Sequence, residues 1–327
     1  MEEPIGALLY GAAESIGVAE ITMHLIIGAI GLSLMAVGFH HKSETISRIC
    51  AMIGWPLIGL FFYLYSSYFV EISDPLLVLM TGAALPVGFA ISYWEYKSTN
   101  ESLDSRLWMR GCIVWSMIPY YAVYGIPILN IWFVGFTADS ANLLLEFSGL
   151  GGYETGHMMI DRHDKTAISV DEWNGNLLIL TEPLGEAGFF APMNKSNGEN
   201  VVIFILACSA LQSMAVFIGG IVALKSVHWK RRLRALIITI PTIHILNVFR
   251  NSGIVWLTDT YREWSFYGIG MFDFAHSYAA KAISLLAMFL MALALFDILP
   301  ELHVDEQTAI VTLTHDPKID DPALLYS

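Results

Sequence analysis

Three residues of types that are rare inside a hydrocarbon layer fall, in order, on three successive apolar stretches: Cys208, Arg250 and His276. A thiol, a guanidinium and an imidazole supply a nucleophile, a donor for a developing oxyanion and a proton carrier, the parts that acyl transfer needs. Each also has a plainer reading. A free cysteine in an apolar helix is usually a small packed hydrophobe. An arginine about seven residues from a helix end can snorkel to the interface, and a histidine can be satisfied within a bundle. The other cysteines, Cys50 and Cys112, map to the opposite side and cannot bridge to Cys208. No CxxC or Cys/His spacing marks a metal site. Asp273, three residues before His276, shares its helical face and can hold the imidazole in one tautomer, or sit solvated at the interface. His24 and His244 read as structural, and Lys281 needs a carboxylate partner within the bundle.

The elements that position these residues are membrane helices. The chain has 327 residues, is 55% hydrophobic and only 14% charged, and has a mean hydropathy of +0.57. Its apolar residues gather in blocks of about 20, the length that a hydrocarbon core of roughly 30 Å requires. The expected fold is an all-α polytopic membrane protein with about seven spans: 18–38, 49–70, 74–94, 112–134, 201–224, 235–257 and 271–296. Pro75 and Pro86 interrupt the third. Trp94, Trp108, Trp229 and Trp264 suit interfaces. The net charge of −13 argues against a nucleic-acid partner.

Basic residues set the orientation. Lys42 and Arg48, then Lys97, Arg106 and Arg110, then Lys225, Lys230, Arg231, Arg232 and Arg234 fall in loops on one side, which is therefore cytoplasmic. The N-terminus is then outside and the C-terminus inside. The first helix serves as its own insertion signal, because no basic region precedes it. On this topology Cys208, Arg250 and His276 lie at a common depth, roughly 8–11 Å below the outer boundary. The domain reading is 1–134 for four spans, 135–200 for an outer cap, 201–296 for three catalytic spans and 297–327 for an acidic cytosolic tail. The cap is rich in acids, including Asp164. The segment TAISVDEWNGNLLILTEP reads as short strands around a turn at Asn174-Gly175. Asn194-Lys195-Ser196 matches a glycosylation sequon only formally.

The local sequences ACSALQS (207–213), NVFR (247–250) and FAHSY (274–278) occur in that order on three helices. This resembles the exosortase/archaeosortase family of membrane-embedded transpeptidases, whose pattern is a cysteine followed by a small residue, then Asn-x-x-Arg, then histidine or arginine. The resemblance implies Cys208, Arg250 and His276 as catalytic residues and Ser209 and Asn247 as supporting ones, beside Asp273. Family members often have glycine where Ala210 stands. The resemblance further implies substrates that are surface-protein precursors bearing a C-terminal motif, a spanning helix and a basic tail. The implied acceptor is a membrane lipid amine, and no metal or organic cofactor is implied. The competing class is a multi-pass anion or proton transporter using Arg250 and His276. Against it stands the expectation that the cytosolic half holds few buried ionisable residues.

Overall fold

A computed structural model describes residues 9, 11, 20–71, 75–98, 103–163 and 165–298. The expected tail, apart from its first two positions, and Asp164 lie outside these residues. Among them, six helices are long and apolar enough to cross a membrane: Thr22–His40, Glu44–Val70, Leu76–Lys97, Pro127–Phe147, Trp229–Thr260 and Met271–Leu295. Leu211–Val222 is a shorter apolar helix. The protein is thus a helical polytopic membrane protein with a small sheet, as its hydropathy predicts. It divides into two compact units.

The first unit comprises α1 (Glu20–His40), α2 (Glu44–Tyr63), the short α3 (Ser66–Glu71), α4 (Pro75–Lys97) and the first half of α5 (Leu103–Gly125), together with residues 222–227. Glycine brings α2 and α4 into backbone contact. A Cβ at Gly88 would lie 2.6 Å from the Trp55 carbonyl oxygen, and one at Gly59 would lie 2.6 Å from that of Ala84. Small residues at such crossings are how membrane helices gain dispersion contact. Arg106 and Arg110, expected in a loop, are instead helical and fully buried with Glu95. Arg110 meets the carboxylate at 2.6 Å and Arg106 at 3.3 Å. Arg110 also donates to the Gly38 carbonyl at 2.9 Å and to the Ser47 hydroxyl at 2.7 Å. The expectation of few buried ionisable residues is therefore corrected. The carboxylate offsets one of the two positive charges, and the bonds to Gly38 and Ser47 satisfy further donors of Arg110, which lowers the cost of burying the group. Nearby, the Lys225 ammonium donates to the Phe39 carbonyl at 2.5 Å and sits over its ring. Burial, and then the Arg110 charge, pull its pKa below the usual lysine value.

The second unit holds the rest of α5, then α6 (Pro127–Phe147), a five-stranded antiparallel sheet, and the remaining helices. The predicted span 112–134 does not exist as one element. Ile126 takes an extended conformation (φ −102°, ψ 105°) and Pro127 opens a new helix. Proline disfavours the α conformation in the residue before it and suits a first helical turn.

The sheet comprises β1 (Tyr153–Thr155), β2 (Met159–Arg162), β3 (Lys165–Ser169), β4 (Leu184–Lys195) and β5 (Asn200–Ile205). The long β4 pairs with β1, β2 and β5, and β3 pairs with β2. Alternation along β4 buries Phe189, Ala191 and Met193 on one face, the period-two pattern of a half-buried strand. Ala191 and Met193, with Val202 and Phe204 of β5, pack on Val134, Ala138, Ala141 and Leu145 of α6. The expected β-character is present, but NLLIL is a loop in which the Asn176 side chain accepts from the Leu178 and Ile179 amides. Such an Asx turn competes with ladder bonds. Below it the Trp173 indole donates to Glu182 at 2.6 Å. That bond, with help from the Lys165 charge, holds the Glu182 carboxyl below its usual pKa. The sequon's Asn194 is a strand residue whose side-chain oxygen accepts from Asn200.

The predicted span 201–224 is likewise composite. Its first residues, VVIFI, are β5, because a β-branched apolar run finds ladder partners on β4. A 3-10 turn (Leu206–Ser209) and α7 (Leu211–Val222) follow. The remainder is α8 (Trp229–Thr260), the small hairpin of β6 (Ser265–Phe266) and β7 (Ile269–Gly270), α9 (Met271–Asp273), a π-helical segment (Phe274–Ala279) and α10 (Ala280–Ile298). The basic run at 230–234, expected in a loop, forms the first turns of α8.

Candidate functional site

Cys208 is not within a regular helix. It sits in the 3-10 turn between β5 and α7, half-buried, and none of the three cysteines is bridged. Ser209 fixes this turn: its hydroxyl donates to the Leu206 carbonyl at 2.7 Å and accepts from the Leu211 amide at 3.3 Å. These two bonds tie the turn to the first residue of α7. Ala210 then takes the left-handed conformation (φ 56°, ψ 17°), which costs an L-residue with a Cβ about 1–2 kcal/mol and costs glycine almost nothing.

The turn is clamped by α8. The side-chain amides of Asn247 and Asn251 both donate to the Cys208 carbonyl, at 2.7 and 2.9 Å. Both asparagines are buried. Their i, i+4 spacing puts them on one face of α8, so the carbonyl is held by two donors one turn apart. Asn251 is absent from the sequence reading, which looked only for Asn-x-x-Arg. The signal that could have found it is the second asparagine one turn after the first.

Arg250 belongs to the same helix as the two asparagines. Its Nη1 donates to Asn247 Oδ1 at 3.4 Å, while its Nε is buried with no hydrogen-bond partner. Cys208 itself packs against the core formed by α6, the sheet and α8. Within the second unit α8 joins these segments: its asparagines hold the Cys208 turn, and its Ile254 packs with Ala275 of the segment bearing His276.

His276 occupies the π-helical segment, with its ring stacked on Phe272 (centroids 5.3 Å apart, planes 6° from parallel). Asp273 is exposed and acts on His276 only through its charge, without a hydrogen bond to the ring. The i, i+3 argument assumed α-helical winding, whereas the π turn begins at Phe274, directly after Asp273. Phe272, and not Asp273, is the side chain that fixes the ring plane. Lys281 also acts on His276. His244 stacks on Phe136 and His24 meets the Phe61 carbonyl, both structural contacts as read. Among the described residues no group of three His, Cys, Asp or Glu side chains could hold a metal ion.

The family model described as transmembrane exosortase matches residues 17–296, most of the chain. No curated protein and no solved structure matches. With that match spanning both units and the cysteine, asparagine–arginine and histidine motifs alike, the chain belongs to the transmembrane exosortase family, membrane transpeptidases that sort surface-protein precursors carrying C-terminal signals.

Proposed function

We propose that Cys208 is the nucleophile of an archaeosortase-like transpeptidase acting on the outer side of the cell membrane, with Arg250 and His276 as its partners. The observation that carries this reading is the Arg250 guanidinium, which bonds Asn247, the same residue that holds the Cys208 carbonyl, and keeps a buried N–H without an acceptor. A buried unsatisfied donor is costly. The oxyanion of a tetrahedral intermediate would supply the missing acceptor.

In the proposed cycle the Cys208 sulfur attacks the scissile carbonyl carbon of the sorting signal. Arg250 stabilises the oxyanion, a contribution of about 2.7–4 kcal/mol for one such donor. The carbon–nitrogen bond breaks as His276 gives its proton to the leaving amine, and a thioester remains. An acceptor amine, proposed to belong to a lipid head group, attacks the thioester and loses its proton to His276. The carbon–sulfur bond then breaks and an amide forms, regenerating the thiolate. The substrate's own spanning helix would dock on the protein, leaving its motif at the level of the cap. The N-terminus is placed outside and the C-terminus inside.

Cys208→Ser is expected to abolish processing of a precursor with motif, apolar helix and basic tail, while the protein still inserts and folds. A transporter would tolerate that exchange, so full processing by the serine variant sinks the proposal. Trapping the precursor as a hydroxylamine-sensitive thioester on Cys208 is the direct readout.

A further inference from the structure

The hydropathy of α6 is that of a membrane span, but its contacts are not. Both of its ends touch the cap. At the start, the Ile128 amide donates to the Leu177 carbonyl of the NLLIL loop at 2.9 Å. Near the end, Leu145 is buried in the core shared with β4 and β5. Between them Ile131, Val134, Ala138 and Ala141 pack on the same sheet. Seventeen residues of helix separate the two ends of this contact, about 26 Å at 1.5 Å per residue. Were α6 to cross the bilayer, the sheet would have to accompany it through the hydrocarbon with open edges, which lipid does not allow. A second observation agrees. Asp139, at the middle of the helix, is exposed; facing lipid at mid-span it would cost about 2.5–3.5 kcal/mol.

The other face of α6 is apolar towards its two ends, where Leu129, Trp132, Leu143 and Phe147 are 37–88% exposed; between them Phe136 stacks on His244 of α8. The buried face is mostly small and fitted to the sheet. We infer that α6 does not span but lies flat in the membrane interface, its aromatic stripe in the outer-leaflet lipid and the cap on its back. The occupant of the stripe is the bilayer itself: the helix belongs to a chain of membrane spans, and interfacial helices combine an apolar face with charged residues held at the level of the head groups. Only the outer location of this helix rests on the proposed orientation; its lying flat does not.

The test is the sidedness of its two ends. Gly125→Cys, where a Cβ meets nothing within 4 Å, and Ser148→Cys, at an exposed position, are each made in a chain whose three native cysteines are serine. A membrane-impermeant maleimide is applied to intact cells and then to lysed ones. Both ends are expected to react in intact cells. Reaction of one end in intact cells and of the other only after lysis overturns the interfacial helix. Reaction of both only after lysis keeps the flat helix and overturns the outer placement of the cap. Tyr124→Cys and Glu146→Cys, both exposed and outside the apolar stripe, form a second pair should the first fail to accumulate.

Discussion

Two amide groups on one carbonyl define the nucleophile turn more sharply than the sulfur's own contacts do. Asn251→Ala removes one of the two donors to the Cys208 carbonyl, a bond of about 0.5–1.5 kcal/mol. Its expected effect is an approximately tenfold fall in precursor turnover with KM little changed, and a matching change in the rate at which a thiol probe labels Cys208. A purely structural role would lower protein yield but leave the labelling rate of the folded fraction intact. Ala210→Gly should relieve the left-handed strain at φ 56°. The gain is expected to be up to about 1 kcal/mol after glycine's entropy cost, measured as a higher unfolding temperature in detergent, whereas Ala210→Val should lower it. At this scale the sequence speaks through residue types rare in lipid, and Cys208, Arg250 and His276 draw notice by type, by depth on the expected helices and by motif order. Asn251 does not, since an asparagine acts through what it faces. Asp273 had two readings, orienting His276 or solvated at the interface, and local spacing does not choose between them where a π turn follows directly.

Elements were legible in kind and blurred at their joints. The run VVIFI is apolar in either a strand or a helix, and only its ladder with β4 decides for strand. The Gly125-Ile126-Pro127 break carried its own signal in the proline, but an apolar window read across it. Arg106 and Arg110 were assigned to a loop by charge, and their burial depends on Glu95, a residue of another helix that no local pattern connects to them. This clamp between α4 and α5 makes its own prediction. Glu95→Ala leaves two buried guanidiniums without their carboxylate and should cost about 3–5 kcal/mol, seen as loss of folded protein in the membrane. Glu95→Leu combined with Arg106→Met and Arg110→Met should recover most of that loss.

Across the second unit, the cap is tied to the end of α8 by charge and hydrogen bonding. The Tyr153 hydroxyl donates to Asp259 at 2.9 Å, Lys195 pairs with the same carboxylate at 2.5 Å, and Arg262 pairs with Glu199. Burial first, and then the bond to Asp259, push the Tyr153 phenol up to about 12. The folded state thus favours the protonated phenol. Its contribution is whole below the ordinary tyrosine value near 10 and is lost as pH rises through about 12. Unfolding of the cap should fall in temperature over that interval, and Tyr153→Phe should be less stable below it and flatter across it. The strand β5 that leaves this anchored region runs straight into the turn bearing Cys208, with no linker between. Ladder pairing advances in steps of about 3.3 Å and reverses facing with each step, while misplacement by 1 Å can cost a hundredfold in rate. Adding or deleting a single residue in β5 would therefore carry the sulfur a whole increment out of place, so the sheet works as the gauge that sets where the thiol stands, and evolution of the cap's outer loops is free only so long as that pairing count stays fixed.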